Sequence, residues 1–111
     1  MTANAGETVD SLVAIHVMGW TFVPGPEGRW YDAGVLLVAT EDWSPSTDIR
    51  DSWQVLEHFQ ATHNIYLVTI EKRQWCCDLE GENVHVSEIA DSAAMAICLA
   101  SLAVHGITVA T

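Results

Sequence analysis

The segment from Pro45 to Phe59 places the strongest constraint on the fold, because a helix start signal, a helical period and a large aromatic side chain coincide in it. Pro45 ends the extended segment before it, and Ser46 can accept a hydrogen bond from a free backbone N–H of the first turn. Asp48 and Asp51 lie near the positive end of the helix dipole. The segment therefore predicts an α-helix capped at Ser46.

The side chains of this predicted helix separate into two faces at about 100° per residue. The apolar face contains Ile49, Ser52, Trp53, Leu56, Phe59 and Gln60, and the opposite face contains Arg50, Asp51, Gln54, Glu57 and His58. We expect an amphipathic helix with Trp53 near the middle of its buried stripe.

The residues before this helix predict another helix and a hairpin. The first helix runs from Glu7 to Met18, and Gly19 supplies the left-handed residue that ends it. Its apolar side consists of Val9, Leu12, Val13 and Val17. A strand at residues 20–23 and a second strand from residue 29 flank a turn rich in proline and glycine. Residues 35–40 form a β-branched run, which is either paired in the sheet or packed as an extended connection.

The residues after the central helix predict three strands and a last helix. Residues 65–70 are the strongest strand, and apolar side chains at both parities indicate that both faces of the sheet are covered. Strands at residues 74–79 and 84–86 follow, and the last helix begins at Asp91 or Ser92 and ends before Gly106. The predicted fold is an α+β, three-layer helix–sheet–helix sandwich around a mostly antiparallel sheet, in the order α-β-β(-β)-α-β-β-β-α.

One domain over residues 1–111 accommodates all of these elements, with residues 1–6 as a disordered leader and residues 107–111 as a short tail. From Ser92 to Thr111 no residue is formally charged, which is long enough for a membrane span. Half of the run is Ala, Ser and Thr, and no Lys or Arg flanks it. We therefore expect a buried helix and no membrane contact.

The last helix has two apolar stripes on its helical wheel. A bulky stripe contains Met95, Cys98, Leu99 and Leu102, and a smooth stripe contains Ala93, Ala96, Ala100 and Ala103. The smooth stripe permits close approach of the first or second helix of this chain, or of a copy in a second subunit. Because no charged side remains to face water, we predict a homodimer with the alanine stripe in its interface.

The net charge of −11, from four basic and fifteen acidic residues, argues against direct binding of nucleic acid. It indicates an acidic surface, or alternatively a protein that imitates nucleic acid. An odd count of three cysteines, Cys76, Cys77 and Cys98, without a signal peptide indicates buried, reduced thiols in the cytoplasm of a cell.

No pattern in the sequence predicts a catalytic, cofactor-binding or metal-binding residue. The five histidines, at positions 16, 58, 63, 85 and 105, have no zinc spacing, and no nucleophile elbow or phosphate-binding glycine loop is present. The cluster Ser46-Thr47-Asp48 is explained by helix capping. An enzyme would need an unrecognised site, which we would build from Asp42, Asp48 and His63.

Five tryptophans are the more informative excess. We expect Trp53 and Trp75 in the core, from a helix face and a central strand. Trp20, Trp30 and Trp43 lie at or beside loops, where an indole is either a lid on the core or an anchor in a binding surface. These three residues are the candidate binding surface.

Three blocks of residues follow one another in a fixed order: Met18-Gly19-Trp20, then Ser46-Thr47-Asp48-Ile49 with Trp53-Gln54-Val55-Leu56-Glu57, then Ala96-Ile97-Cys98-Leu99-Ala100. Together they resemble the phage ABA sandwich family. The resemblance spans roughly residues 8–105. It implies a helix–sheet–helix sandwich encoded by a phage or prophage, and it implies no established activity, so it supplies no catalytic residues.

The preferred hypothesis is a small phage-encoded accessory protein without catalytic activity, acting in the cytoplasm of the bacterial host. It would be a homodimer that needs no cofactor and captures a host protein or a small ligand. The alternatives are the enzyme with an acidic and histidine site, and the acidic nucleic-acid mimic.

Overall fold

The computed structural model describes residues 2–3, 8–24, 28–32, 34–39, 42–71 and 73–109. The helices are α1, Val9–Leu12, continued by a wider π-helical turn over Val13–Val17, then α2, Ile49–Phe59, and α3, Ala93–Val104. The strands are β1, Thr2–Ala3; β2, Thr21–Val23; β3, Arg29–Asp32; β4, Val35–Ala39; β5, Asn64–Ile70; β6, Gln74–Glu80; β7, His85–Ala90; and β8, Thr108–Val109. The α+β sandwich and the predicted order of its helices and long strands are confirmed.

The first and last helices end at the glycines that the sequence indicates. The π-helical turn closes when the Met18 N–H donates to the Val13 carbonyl at 3.0 Å, and Gly19 follows with φ of +72°. Beyond α3, Gly106 has φ of +74°, a conformation that glycine adopts without steric cost. Ser92 is the N-cap of α3, because its hydroxyl accepts from the Met95 N–H at 3.1 Å.

The start of α2 differs from the prediction. Its N-cap is Asp48, whose carboxylate accepts from the Arg50 N–H at 2.9 Å. Ser46 instead donates its backbone N–H to the Asp10 carboxylate at 2.8 Å, a contact 36 residues away in sequence. The predicted cap at Ser46 is therefore wrong, because the loop before α2 is fixed by α1.

Two antiparallel sheets of three strands each carry most of the strand residues. The first has the order β2-β3-β4, so the run at residues 35–39 is paired in a sheet and is not a loose connection. The second has the order β5-β6-β7, and β7 is longer than predicted because it pairs with β6 along its whole length. The pair β1 and β8 forms a short parallel ladder in segments that we expected to be a leader and a tail.

The two faces of β5 differ, contrary to the expectation that both are covered. On the inner face, which β5 shares with Cys77 and Leu79 of β6, Ile65 and Leu67 are partly buried. On the outer face the side chains of Tyr66, Val68 and, on β7, Ile89 are each about half exposed. Among the described residues, the helices thus cover one face of this sheet.

Helix α3 lies inside the chain. It contacts β6 and β7, and also α2 and the first helix. Its fully buried residues, which have no solvent exposure, are Ala96, Ile97, Cys98, Ala100, Ser101 and Leu102. Helix α3 is thus apolar on all sides because it packs against several elements of the same subunit. In the part of the chain that the structure describes, no helix has both the length and the apolar composition needed to cross a membrane.

The alanine stripe is consequently not a surface for a second subunit. Ala96 and Ala100 are fully buried, and Ala93 and Ala103 are partly buried. Small side chains there allow α3 to approach the other helices closely. The prediction that this stripe forms a dimer interface is corrected by that burial.

Candidate functional site

The three tryptophans predicted as a binding surface are buried. Trp20, Trp30 and Trp43 are 7%, 1% and 3% exposed. The rings of Trp20 and Trp43 are 4.5 Å apart between centroids, and the Trp43 indole N–H donates to the backbone carbonyl of Asp10 at 3.1 Å. Phe22 meets Trp30 edge-on at 5.2 Å. These residues therefore close the core, and none of them is a surface anchor.

Trp53, which the helical period placed in the core, is instead 55% exposed. The buried side of α2 consists of Ser52, Val55, Leu56 and Phe59. Burial of Ser52 is possible because its hydroxyl donates to the Ile49 carbonyl at 3.0 Å, which satisfies its polar group. The helix is thus rotated so that its serine faces inward and its indole faces outward.

A cleft of about 410 Å³ lies between α2 and β5, with Trp53 on its wall. Its apolar side chains are Trp53 and Leu56 from the helix and Ile65 and Leu67 from the strand. Polar side chains complete the lining, namely Glu57, Gln60, His63 and Asn64. Apolar walls with a few polar groups, in a volume of this size, are typical of ligand-binding clefts in proteins.

An acidic depression adjoins the cleft at the end of α2. It has a volume of about 360 Å³, and Gln60, His63 and Asn64 line both cavities. Glu80 and Glu82 contribute its carboxylates. We call the cavity with Trp53 on its wall the Trp53 cleft, and the cavity with Glu80 and Glu82 the acidic depression.

His63 lines both cavities, and its imidazole has neighbours on three sides. Its Nδ1 is 2.8 Å from the Thr62 hydroxyl, and the ring stands edge-on to Phe59 at 5.1 Å between centroids. A Cβ at Gly81 would lie 2.8 Å from its Nε2, so a larger residue there would displace the imidazole from its present position. His63 is therefore positioned by packing against the turn between β6 and β7.

The residues proposed for an enzymatic site are not brought together. Asp48 caps the N-terminus of α2, whereas His63 follows its C-terminus. Eleven helical residues separate these ends by about 16 Å. Asp42 is exposed just before Trp43, in the segment that leads to the N-terminus of α2. The Asp48 carboxylate is occupied by the Arg50 backbone N–H and guanidinium, which hold the pKa of Asp48 below its ordinary value.

Three histidines surround Phe59 near the C-termini of α2 and α3. The rings of His58, His63 and His105 lie 5.3, 5.1 and 6.3 Å from the Phe59 ring between centroids. Burial, together with His58, His16 and His63 nearby, lowers the pKa of His105. Across the described ranges, no group of three or more His, Cys, Asp or Glu side chains is arranged to hold a metal ion.

The cysteines are free and buried, as the sequence predicted. Cys76 and Cys77 point to opposite faces of β6, and the Cys76 thiol donates to the Asp78 carboxylate at 3.3 Å. Burial, reinforced by the neighbouring Asp78 and Cys76, raises the pKa of Cys77 to about 12. Burial also raises the pKa of the Cys98 thiol. These two thiols therefore stay protonated near neutral pH and have little nucleophilic character.

Sequence reasoning missed the Trp53 cleft because its two walls belong to different elements. The only local signal is that the polar Ser52 and the larger Trp53 compete for the same buried arc of the helical wheel. The contact of His63 with Gly81 joins residues 18 positions apart, and no periodicity predicts it.

The fold also occurs in a solved structure. A crystal structure at 2.0 Å of a phage protein from Bacillus cereus ATCC 14579 aligns with a TM-score of 0.73, covers 97% of this chain and 95% of that chain, and has 20% sequence identity. At that identity the likeness establishes the fold alone. No curated protein matches the chain.

The sequence also matches the model of a protein family over most of the elements described above. The model of the phage ABA sandwich domain matches residues 11–102, from within α1 to the last turn of α3. That range includes the glycine after the first helix, both walls of the Trp53 cleft and the buried α3. The chain therefore belongs to the phage ABA sandwich domain family.

Proposed function

We propose that this protein is a phage accessory protein without catalytic activity, which binds a host protein or a small ligand in the Trp53 cleft. The observation that carries the proposal is the 55% exposure of Trp53 beside an apolar cleft, on a helix that has other side chains available for its buried face. Leaving an indole in water forgoes the stabilisation of a large buried aromatic ring. Binding of a partner over the Trp53 indole would recover that stabilisation.

The chemistry of the cleft supports recognition of a ligand or partner. Tryptophan is among the residues that contribute most to binding energy when a partner covers them. The side chains around Trp53 supply apolar contact from Leu56 and Leu67 and hydrogen-bonding groups from Gln60 and Asn64. Such a lining can hold and orient a ligand.

The proposal can be tested by affinity capture from infected-cell lysate, with mass spectrometry of both the proteins and the small molecules retained. Three baits are compared: the parent, Trp53→Ala and Ile49→Ala. Ile49 lies one helical turn before Trp53, is also about half exposed, and does not line the cleft. It is therefore a matched control for the loss of an exposed apolar side chain on α2.

We expect a partner that the parent and Ile49→Ala retain and that Trp53→Ala loses. Equal retention by all three baits would place any partner elsewhere on the molecule and would contradict the proposal. Steady conversion of a retained metabolite by the purified parent would contradict the absence of catalysis.

The cellular location is part of the proposal. Free buried thiols, as in this chain, are typical of proteins from a reducing compartment. We propose that the protein acts in the cytoplasm of the infected bacterial cell. Fractionation of infected cells, with an antibody against the protein, tests that location.

The homodimer stays a prediction, and the alanine stripe no longer supports it. Sedimentation at micromolar concentration tests the assembly directly. A species of twice the 12.1 kDa chain mass would support the dimer, and a single species at the chain mass would contradict it.

A further inference from the structure

Strand β5 has a free edge, and its residues Asn64, Ile65 and Leu67 line the Trp53 cleft. In the sheet order β5-β6-β7, β5 pairs with β6 along all seven residues without a bulge, and on its other side it pairs with no described strand. In an antiparallel pair, every second residue of an edge strand directs its N–H and C=O away from its partner. The strand that lines one side of the cleft therefore carries a row of backbone donors and acceptors along its unpaired edge.

This edge lacks the sequence features that usually protect exposed strands from pairing. Natural edge strands carry charged residues, prolines or bulges, or they are very short. The β5 sequence, Asn-Ile-Tyr-Leu-Val-Thr-Ile, has neither a charge nor a proline. The opposite edge of the same sheet, β7, carries Glu88 within the strand. The difference indicates that pairing at β5 is tolerated or used.

The position of α2 sets where an added strand would place its side chains. An added strand lies about 4.8 Å from its neighbour, and its side chains alternate between the two faces of the sheet. The side chains of the added strand that lie on the same face as Ile65 and Leu67 would enter the Trp53 cleft, next to Leu56. The cleft thus offers backbone pairing on one wall and an apolar site on the other, as in other proteins that bind peptides by strand addition.

The charges around the edge select a basic partner. Glu57 lines the cleft, Glu80 and Glu82 line the acidic depression, and no described lining residue is Lys or Arg. A second copy of this chain would bring its own net charge of −11 and an identical set of carboxylates to the edge. Like charges brought together disfavour that pairing.

We propose that β5 accepts an extended peptide segment of a partner protein as a fourth strand of this sheet. One apolar side chain of the segment occupies the Trp53 cleft, and a basic side chain lies against Glu80 and Glu82. This inference rests on the proposed function, because it assigns a class of partner to the same cleft.

The test uses a synthetic peptide of about eight residues with blocked ends, in which Leu and Val alternate with Thr and Lys. Binding is followed by NMR titration of the labelled protein, and amide hydrogen exchange is measured with and without the peptide. Two further peptides carry N-methyl groups at all odd or at all even residues, which removes half of the backbone donors in each. A fourth peptide has Glu in place of Lys.

We expect slower exchange at alternate amides of β5, at those not bonded to β6, when the peptide is bound. Only one of the two N-methylated peptides should lose affinity, by about tenfold or more, because a strand pairs with β5 along one edge. The Glu peptide should bind about tenfold more weakly than the Lys peptide. Trp53→Ala should lower affinity about tenfold, and Ile49→Ala should change it by less than about twofold.

Failure of this inference is distinct from failure of the proposed function. If binding depends on Trp53 but both N-methylated peptides bind equally and no β5 amide is protected, strand addition is excluded and the cleft remains a ligand site. If no peptide binds more tightly than about 1 mM while the lysate experiment yields a partner that depends on Trp53, the extended-peptide class is excluded. Peptide binding that is unaffected by Trp53→Ala would overturn the inference.

Discussion

Helices α2 and α3 differ in how their apolar residues are arranged and in how much of each helix is exposed to solvent. Helix α2 has a clear apolar side and a clear polar side, yet its largest apolar residue, Trp53, lies mostly in water. Helix α3 has no polar side at all and is buried by the sheet and by the other helices of the same chain. An apolar pattern on all sides thus indicates a central position in the domain, and a well-formed amphipathic pattern does not tell which apolar residue is exposed.

The difference separates residues that hold the fold together from residues that are free to bind. Side chains of α3 that have no exposure, such as Ala100 and Leu102, cannot meet a partner without unfolding. Trp53 and Ile49 on α2 can meet a partner without any rearrangement. Substitutions in the two helices should therefore differ in both size and kind of effect.

The largest effect is expected for Ala100→Glu in α3. A carboxylate at this fully buried position would have no room and no ionic partner, and burying an unpaired charge costs several kcal/mol of a total stability of about 5–15 kcal/mol. We expect an unfolded or insoluble protein, measured by circular dichroism and solubility. The control is Ala61→Glu at an exposed position after α2. A folded, soluble Ala100→Glu monomer would mean that α3 has an open side after all.

Phe59→Ala should produce the next largest effect, on the buried side of α2. Phe59 is 3% exposed and packs against the rings of His58, His63 and His105. Removal of a buried phenylalanine side chain lowers the free energy of unfolding by about 3–5 kcal/mol. Denaturant titration measures this loss, and a change below about 1 kcal/mol would contradict the packing described for this helix face.

The N-caps of the two helices should respond differently to pH. Ser92→Ala should cost α3 about 1 kcal/mol at any pH, because a hydroxyl cap does not titrate. Asp48→Ala should destabilise α2 only where the carboxylate is ionised. Since the folded-state pKa of Asp48 is lowered, its contribution is present above the ordinary value near 3.8 and is lost as the pH falls through the folded value.

Thermal unfolding of these cap variants at about pH 7 and about pH 3 checks the prediction. Ser46→Ala is the control, since Ser46 bonds Asp10 through its backbone N–H and not through its hydroxyl. If Ser46→Ala destabilises the protein more than Asp48→Ala at neutral pH, the cap has been assigned to the wrong residue.

Trp53→Ala should have a small effect on stability, in contrast to Phe59→Ala six positions later. The indole is more than half exposed, and substitutions at exposed positions change the free energy of unfolding by about 0.5 kcal/mol. The helical period alone leads to the opposite expectation, a loss typical of a buried aromatic residue. Denaturant titration of the two variants side by side decides between them, and equal losses would remove the distinction between the inner and outer sides of α2.

The smallest effect is expected for His105→Gln at the end of α3. Because the pKa of His105 is lowered in the folded protein, the unfolded chain takes up the proton first, and stability falls as the pH drops below about 6.5. His105→Gln should remove part of that fall between neutral and mildly acidic pH. His85→Gln on β7 serves as the control, and a variant with the parent's pH profile would show that His105 does not contribute.

Local signals in the sequence predicted much of the fold. Gly19 and Gly106 mark the ends of two helices, Ser92 marks the start of α3, and hydrophobic runs identify β4, β5 and β6. Each of these signals depends on residues that are close in sequence. They therefore predict the elements and their order without knowledge of tertiary contacts.

The candidate site depends on contacts that the periodic pattern does not contain, and the sequence did not predict it. The carbonyl and carboxylate of Asp10 bind Trp43 and Ser46, which buries one tryptophan and moves the cap to Asp48. The hydroxyl of Ser52 bonds within its own helix, so a nominally polar residue faces the core and Trp53 does not. Periodicity treats a large aromatic residue as buried by default, and here tertiary packing overrides that default.

The most direct measurement is the solvent accessibility of each indole, by fluorine NMR of protein labelled with 5-fluorotryptophan. Five resonances are expected, one for each tryptophan, and the resonance missing from Trp53→Phe identifies residue 53. On transfer from H₂O to D₂O, the Trp53 resonance should show the largest solvent isotope shift, and those of Trp20, Trp30 and Trp43 should scarcely move. A Trp53 resonance without a solvent shift, accompanied by a shifted resonance from one of those three, would contradict the assignment of α2's outer side as the binding site.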